Sequence, residues 1–149
     1  AVDMVRALGV ETPRTALLSA VETVTGKIPS TLLAASICKM HDRGQIVGGM
    51  VDGPLAYDNA ISVEAAVAKG IRSDVAGRAD ILVAPNLESG NMIAKQLIHL
   101  GGAEAAGLVI GARVPIILTS RADSASARLT SAALARLQAE ARPTKPVAE

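Results

Sequence analysis

Short apolar segments alternate with helical patterns along the chain, and this alternation restricts the possible folds more than any other feature. The apolar segments cover residues 14–21, 46–51, 81–84, 108–110 and 115–118, and their length and β-branched content are typical of buried strands. Apolar residues at helical spacing predict helices at 30–44, 58–69, 92–100 and from 126 to about 141. Strands that alternate with helices predict an α/β fold with a largely parallel sheet flanked by helices.

The two ends of the chain are less regular than the middle. Only a short polar joint separates the strand at 108–110 from the one that begins at Pro115, so the later strand could belong to a different sheet. The first residues read like the last turns of a helix closed by Gly9, which suggests that the chain begins inside a longer protein. Residues 143–149 form a polar, proline-bearing tail that we expect to be loose.

The composition excludes several classes of function. Aromatic residues make up 1% of the 149 residues, a single Tyr57, so stacking on nucleic-acid bases has almost no support. The net charge is +1 without a basic run, which gives no electrostatic support for a nucleic-acid or membrane-surface partner. Cys38 is the one cysteine, so no internal disulfide forms, and we predict a cytoplasmic protein. No apolar run approaches the ~20 residues that cross a bilayer.

Four polar loops follow predicted strands and are candidate binding elements. They cover residues 22–30, 52–59, 85–91 and 120–124. In a parallel sheet the carboxyl ends of the strands share one edge, and α/β proteins bind their ligands there. Polar loops are also the ordinary state of any protein surface, so the loops alone leave a purely structural interpretation open.

The last of these loops carries the chemistry that best suits an anion. The apolar segment ending at residue 118 is followed by Ser120, Arg121 and Asp123, and then by the last predicted helix. The first turn of a helix attracts anions through its N–H groups and its dipole, and Ser120 and Arg121 add a hydroxyl donor and a guanidinium fork that suit phosphate. A structural interpretation is also open, with Asp123 as the N-cap of the helix.

Two further groups of polar residues are weaker candidates. Glu88, Ser89 and Asn91 surround a glycine at the start of a predicted helix, where ligand contact competes with helix capping. Asp52 and Asp58 could form an acid/base pair, but both positions also suit turn and cap residues.

The remaining chemically capable side chains favour structural roles. His41 and His99 lie near predicted helix ends, where interaction with the helix dipole explains them better than a metal site does. Cys38 falls on the apolar face of its helix as an inert core thiol, and Lys95 falls on a solvated face. No GxGxxG, P-loop, GxSxG or HExxH motif occurs, and we predict no bound metal.

Four blocks of sequence resemble the phosphate acetyltransferase/phosphate butyryltransferase family. The blocks are 17–22 (LLSAVE) with 29–31 (PST), 51–60 (VDGPLAYDNA), 79–91 (ADILVAPNLESGN) and 115–121 (PIILTSR). They span nearly the whole chain in the family's order, and the second and third blocks are specific. The forms SRADS and GPLAYDNA look closer to the butyryltransferase-like branch, which includes forms fused to a hydratase-like domain.

The resemblance implies the C-terminal half of a two-domain enzyme, a homodimer with an isocitrate/isopropylmalate dehydrogenase-like architecture. Residues 1–112 would be its second α/β domain, 113–142 the strand and helix that return to a mostly absent first domain, and 143–149 the tail. The family moves an acyl group between coenzyme A and inorganic phosphate. An acetyl or butyryl-type group, coenzyme A and phosphate or acyl phosphate are therefore the expected substrates, with no further cofactor.

The resemblance also assigns site residues. The family's serine–arginine pair at the phosphoryl end corresponds to Ser120 and Arg121. The acetyl branch places an aspartate seven positions after that serine as the base for the thiol; that position is Ala127 here, and Asp123, one helical turn earlier, is the substitute. The predicted catalytic residues are Ser120, Arg121 and Asp123, and the predicted substrate-binding residues are Asn91, Glu88, Ser89 and Asp58.

Two other functions remain open from the sequence. The chain could be a non-catalytic assembly domain, or an incomplete fragment of such an enzyme, whose aliphatic helices dimerise. It could also have a sister activity on the same fold, such as phosphate acyl transfer with long chains or oxidative decarboxylation. A decarboxylating dehydrogenase would need clustered metal-binding aspartates at strand ends, and the sequence shows no such cluster.

Overall fold

The computed structural model describes residues 1–141, so the predicted tail at 143–149 lies outside the described residues. The elements in chain order are α1 (Val2–Ala7), β1 (Arg14–Leu18), α2 (Pro29–Asp42), β2 (Met50–Leu55), α3 (Tyr57–Ile61), α4 (Val63–Ala68), β3 (Ile81–Val83), α5 (Leu87–His99), β4 (Leu108–Val109), β5 (Ile116–Ile117) and α6 (Ala125–Ala141). The chain divides into two compact units, Ala1–Ile93 and Ala94–Glu149. The assignment of 1–112, 113–142 and 143–149 to domains remains a prediction.

The first unit is built on a three-stranded parallel sheet in the order β2-β1-β3. The central strand pairs Thr15 with Val51 on one side and with Ile81 on the other. Parallel strands require crossover connections, which α2 supplies between β1 and β2. The connection from β2 to β3 contains α3 and α4 and passes across the central strand β1. The predicted α/β fold with a parallel sheet flanked by helices is confirmed for this unit.

The core of the first unit is aliphatic and made largely of small side chains, as the near absence of aromatic residues requires. Its buried members are Ala16, Leu18, Leu55, Ala60, Ala66, Val75 and Ala76, with Ile71, Ala79, Leu82 and Ile93 packed against them. Small residues let the elements approach closely, and Gly53 marks a close approach between neighbouring strands. A β-carbon at Gly53 would lie 2.6 Å from Leu17 Cβ and 2.7 Å from Leu17 O.

The predicted turn at residues 52–54 is wrong, because these residues lie inside β2. The predicted strand at 46–51 accordingly begins too early, since β2 starts at Met50. Ala16 pairs with Asp52 and Leu18 pairs with Leu55. Between these two pairs β1 contains one residue and β2 contains two. The extra residue forms a β-bulge, and bulges accept glycine and proline, which are otherwise signals for a turn.

The prediction of one continuous helix at 58–69 is wrong, because this segment forms two short helices, α3 and α4. Ser62 separates them with extended backbone angles, φ −121° and ψ 119°. Its hydroxyl accepts a hydrogen bond from Ala65 N at 3.2 Å and so caps α4. The apolar spacing runs through both helices, which is why the periodicity predicts one.

The predicted loop at 85–91 is wrong from its third residue onward, because α5 begins at Leu87. Asn86 is the residue that caps this helix, since its Oδ1 accepts a hydrogen bond from Ser89 N at 2.9 Å. Glu88, Ser89 and Asn91 therefore lie in the first turns of α5. The sequence pattern suggests Ser89 or Asn91 as the capping residue and does not identify Asn86.

The second unit contains the end of α5, the antiparallel pair β4 and β5, and α6. Leu108 pairs with Ile117 and Val109 with Ile116, so the two late strands share a sheet with each other and lie apart from the parallel one. The strand after Pro115 therefore does belong to a different sheet from the parallel one, but β4 belongs to that second sheet as well, so no sheet boundary falls at Pro115. The predicted last helix is confirmed as α6, which runs to Ala141.

Candidate active site

A tight turn joins β5 to α6 and holds the predicted catalytic residues. Ser120 N donates a hydrogen bond to Asp123 Oδ2 at 2.6 Å, and Asp123 N donates one to Ser120 O at 3.1 Å. These reciprocal bonds close residues 120–123 into a ring of backbone and side chain. Asp123 is half-buried, while Ser120 and Arg121 are exposed. The structure thus brings Ser120, Arg121 and Asp123 together, as the sequence predicts.

The N-terminal end of α6 is capped by Ser124 and not by Asp123. Ser124 Oγ accepts a hydrogen bond from Ala127 N at 3.1 Å. The interpretation of Asp123 as the N-cap is therefore wrong, because its carboxylate is directed back to Ser120. This arrangement leaves the turn at residues 120–123 immediately before the first turn of a 17-residue helix, where anions are favoured.

Arg121 is available for a bound anion. Its guanidinium makes no hydrogen bond or ion pair within residues 1–141, and its side chain is exposed. The Ser120 hydroxyl makes one weak contact, 3.5 Å from Ala122 N, which acts as the donor. A hydroxyl and an uncommitted guanidinium on adjacent residues can together bind the oxygens of a phosphate.

A cavity of about 240 Å³ lies in the second unit beside this turn. Its lining residues are Lys95, Ile98, His99, Ala103, Glu104, Ala105, Ala122, Asp123, Ser124, Ser126, Ala127 and Thr130. Asp123 and Ala127, the two positions considered for the base, therefore line the same cavity. Lys95 and His99 are one helical turn apart on α5 and bring basic groups to it.

The contribution of Lys95 and His99 to this cavity is not among the predictions from the sequence. Those predictions place Lys95 on a solvated face and explain His99 by the helix dipole. His99 does lie in the last turn of α5, as predicted, but it also lines the cavity. Their spacing of four residues places both on one face of a helix, and this spacing is the signal that could identify them as a pair.

The first unit brings three of the four predicted polar loops to one edge of its sheet. Residues 22–30 follow β1, residues 52–59 contain the end of β2, and residues 85–91 follow β3 and include the start of α5. The parallel strand order places these carboxyl ends together. At that edge Ser19 Oγ lies 2.8 Å from Ser30 Oγ, joining the end of β1 to the first turn of α2. The fourth loop, 120–124, follows β5, which belongs to the antiparallel sheet of the second unit. The explanation by a shared edge of one parallel sheet therefore does not apply to this loop.

The predicted substrate-binding residues on α5 differ in how far they are committed. The Ser89 hydroxyl donates to Asn86 Oδ1 at 2.8 Å and lies 3.2 Å from Asn86 O, so it takes part in capping. Glu88 is exposed, and its carboxylate has no partner within residues 1–141. The Asn91 side chain is likewise exposed and unpaired in this part of the chain.

Asp58 belongs to an ion-pair cluster. Lys69 Nζ lies 3.0 Å from Asp58 Oδ2 and 3.6 Å from Glu22 Oε2, and the buried Asn59 donates to Glu22 Oε2 at 3.3 Å. The hydrogen bond from Lys69 lowers the pKa of Asp58 below its ordinary value, and the same bond raises the pKa of Lys69. Asp58 is therefore held as a carboxylate.

Asp52 has a structural contact of its own. Its Oδ1 accepts a hydrogen bond from Gly53 N at 2.8 Å inside the bulge of β2. With Asp58 paired to Lys69, the local contacts of the two aspartates favour the structural interpretation over an acid/base pair.

Cys38 and the histidines have structural surroundings too. Cys38 Sγ donates to Gly53 O at 3.3 Å, and burial is the main cause that raises the pKa of this thiol to about 11. His41 Nδ1 lies 3.0 Å from Ile46 O, beyond the end of α2. Among residues 1–141, no three His, Cys, Asp or Glu side chains form a group that could hold a metal ion.

No helix in the described part of the chain is long and apolar enough to cross a membrane.

The chain is similar to named acyltransferases over nearly its whole length. It is 62% identical over 148 residues to a phosphate acetyltransferase of Rhizobium meliloti, which covers 99% of this chain and 47% of that protein. It is 49% identical over 138 residues to a phosphate butyryltransferase of Clostridium acetobutylicum, with 93% of this chain and 46% of that protein covered. The chain thus spans about half the length of these relatives.

A solved structure with the same fold is a branched-chain phosphotransacylase from Enterococcus faecalis. It superposes with a TM-score of 0.81 at 37% identity, covering 93% of this chain and 49% of that one. A phosphotransacetylase from Streptococcus pyogenes superposes with a TM-score of 0.70 at 27% identity, covering 93% and 42%. Residues 1–136 match the sequence profile of the family described as phosphate acetyl/butaryl transferase. The chain belongs to this family, as the resemblance of its four sequence blocks predicts.

Proposed function

We propose that this chain forms part of an acyltransferase that moves an acetyl or butyryl-type group between coenzyme A and inorganic phosphate. The observation that carries the proposal is the closed turn at Ser120–Asp123, which presents an uncommitted Arg121 at the start of α6. The phosphate acetyltransferases and butyryltransferases to which the chain is similar give the reaction class.

The proposed reaction is a displacement at the carbonyl carbon of an acyl phosphate. The thiolate of coenzyme A attacks that carbon, a C–S bond forms, and the C–O bond to phosphate breaks. Inorganic phosphate leaves with the electron pair of that bond and takes up the proton that the thiol has lost. Donors are needed at the carbonyl oxygen, where negative charge develops, and at the departing phosphate. The reverse reaction uses the same groups and gives acyl phosphate from acyl-CoA.

In this proposal Arg121 binds the phosphoryl oxygens and Ser120 donates its hydroxyl to the transferring group. Asp123 belongs to the same catalytic turn. Asn91 and Glu88 are proposed substrate-binding residues because their side chains are exposed and uncommitted in the described part of the chain. Ser89 and Asp58 are proposed with them, although each already has a contact, with Asn86 and Lys69 respectively.

Further features of the whole enzyme belong to the same proposal. Arg121 and the helix N–H groups can carry the phosphate charge, so the reaction as proposed uses no cofactor beyond its two substrates. An isocitrate/isopropylmalate dehydrogenase-like pair of domains and a homodimer are proposed from the family resemblance, and a cytoplasmic location is proposed from the single cysteine. The parallel three-stranded sheet with flanking helices is compatible with that architecture.

A second candidate is an incomplete or non-catalytic assembly segment of such an enzyme. The observation in its favour is coverage, because the chain matches only 47% of the similar phosphate acetyltransferase. In that case the 149 residues fold but lack part of the substrate site.

Thioester formation distinguishes the two candidates. The chain is mixed with acetyl phosphate or butyryl phosphate and free coenzyme A, and thioester absorbance is followed in the ultraviolet. Thioester that appears with the wild type and disappears with Ser120→Ala supports the complete enzyme. Activity that appears only in a longer protein containing this chain supports the incomplete site, and silence in both contradicts acyl transfer.

A further inference from the structure

We infer that Asp123 is a positioning residue that fixes the Ser120–Arg121 turn, and that it does not act as the base for the thiol. This inference rests on the proposed acyl transfer. It concerns how the catalytic turn is held in place, and it replaces the sequence-based hypothesis in which Asp123 substitutes for the aspartate missing at Ala127.

The Asp123 carboxylate is directed at the backbone of its own turn. Asp123 Oδ2 accepts the Ser120 N–H at 2.6 Å, a short distance typical of a charge-assisted hydrogen bond. A base for the thiol must direct an oxygen at the sulfur, within about 2.6–3.2 Å or through one water. Asp123 Oδ2 already has a different partner, the N–H of Ser120.

The hydrogen bonds of Asp123 also close a ring. Asp123 N donates to Ser120 O at 3.1 Å, so residues 120 and 123 are joined in both directions. The next residue, Ser124, caps α6 through Ala127 N. The hydrogen bonds between residues 120 and 123 close the turn, and the cap at the next residue fixes the start of α6. The turn is thus held by hydrogen bonds although Ser120 and Arg121 are exposed.

The position of the Arg121 guanidinium depends on the backbone that carries it. The Arg121 side chain has no partner among residues 1–141. No side-chain contact therefore holds its guanidinium in place, and its position follows from the backbone. The peptide whose N–H is held by Asp123 directly precedes that of Arg121. A misplacement of about 1 Å in a binding group can lower a rate about 100-fold, so a bond that orients this backbone affects turnover.

The charge of Asp123 gives a further distinction. A carboxylate beside an anion site repels phosphate. If Asp123 contributed only its negative charge, it would therefore weaken the binding of phosphate. A positioning role requires only an oxygen that accepts the Ser120 N–H. Asparagine offers such an oxygen without the charge and without the ability to take up a proton as a general base.

The experiment compares Asp123→Asn with Asp123→Ala in an active protein that contains this chain. Both variants and the wild type are assayed for thioester formation from butyryl phosphate and coenzyme A, with kcat and KM measured between about pH 6 and 9. We expect Asp123→Asn to keep kcat within about threefold with an unchanged pH profile, and Asp123→Ala to lose about 10- to 100-fold in kcat. The KM of Asp123→Asn for butyryl phosphate should be equal or lower.

A base role predicts a different pattern. Both variants would then lose activity equally, by about 100-fold or more, and the acid limb of the pH profile would disappear in both. That result would overturn the inference. Equal and nearly full activity in both variants would overturn it as well, because the hydrogen bond would then be dispensable.

Two controls separate this inference from other failures. If neither this chain nor a longer protein that contains it forms thioester, the proposed function itself is contradicted, whereas an active wild type makes the comparison of variants meaningful. Asp42→Ala, at an exposed aspartate of α2 paired with Lys39, removes a carboxylate elsewhere and should leave kcat unchanged. Thermal unfolding of each variant shows that a loss of kcat is not a loss of fold.

Discussion

Lys69 lies between two carboxylates, 3.0 Å from Asp58 Oδ2 and 3.6 Å from Glu22 Oε2, and thereby joins the end of α4 to the start of α3 and to the loop after β1. Both anions are polar residues at the carboxyl edge of the parallel sheet. The hydrogen bond from Lys69 lowers the pKa of Asp58 and so keeps this carboxylate ionised.

The cluster should make the first unit sensitive to acid. The pKa of Asp58 is lowered from 3.8, so its stabilising contribution is present above pH 3.8 and is lost as the pH falls through the lowered value. Asp58→Asn removes this contribution, and the melting temperature of the variant should fall less steeply with acid than that of the wild type. Parallel melting curves from about pH 6 to pH 2 measure the difference, and identical slopes would contradict the assignment.

Cys38 should react slowly with thiol reagents in the folded protein. Burial, together with the nearby Asp52 and Asp42, raises its pKa from 9.0 to about 11. At about pH 8 the thiolate fraction is then about 100-fold lower than for an ordinary thiol, and only the thiolate reacts. Alkylation by iodoacetamide, followed by mass spectrometry, should be slow in buffer and fast in urea. Equal rates in the two solvents would show that the thiol is not shielded.

Gly53→Ala should destabilise the first unit. The added methyl group would meet Leu17 Cβ at 2.6 Å and Leu17 O at 2.7 Å, inside the bulge between β1 and β2. Overpacking of this kind costs about 1–3 kcal/mol in the free energy of unfolding, which urea denaturation measures. Gly26→Ala is the matched control, because nothing lies within 4 Å of the methyl group added there and a change of at most about 0.5 kcal/mol is expected. An equal loss in both variants would contradict the steric explanation.

Ser131 should contribute to the stability of the second unit. It is fully buried, its hydroxyl donates to Ala127 O at 2.7 Å, and it accepts a hydrogen bond from Gly107 N at 3.0 Å. Ser131→Ala leaves the Gly107 N–H without this acceptor, at a cost of about 1–3 kcal/mol. Ser126→Ala, at an exposed position of the same helix, is the control for urea denaturation. Equal stability of the two variants would show that this hydroxyl is dispensable.

The sequence predicts the classes of the elements well because their signals are local. Apolar spacing identifies α2 and α6, and the short β-branched runs identify all five strands, although β2 is placed too early. The tight turn at residues 120–123 is also predicted, because a serine, an arginine and an aspartate stand directly between a strand and a helix; its catalytic role remains a proposal. Each of these inferences depends on neighbours within a few residues.

The errors arise where distant contacts decide the structure. Gly53 and Pro54 are turn residues by local rules, yet pairing with β1 draws them into a bulged strand. The partner of β5 is β4, which no local pattern specifies. Lys95 and His99 line a cavity together with residues 122–127, which lie more than 20 positions further along the chain. Local patterns do not specify this contact. Ser62 breaks a helix whose apolar spacing is continuous.

We propose that Arg121 binds the phosphoryl group, which would make this turn a site for acyl transfer. The KM for inorganic phosphate in the conversion of butyryl-CoA to butyryl phosphate tests it, measured in an active protein that contains this chain. Arg121→Ala should raise that KM or lower kcat/KM by about 10- to 100-fold, because a hydrogen bond to a charged group is worth about 1.5–3 kcal/mol.

Arg136→Ala is the control for this measurement, since Arg136 is an exposed arginine of α6 paired with Glu140 at 2.8 Å. Its KM for phosphate should equal that of the wild type. We predict a loss that is confined to Arg121→Ala. Unchanged phosphate affinity and turnover in Arg121→Ala would show that this turn does not bind the phosphoryl group, and would contradict the proposed site.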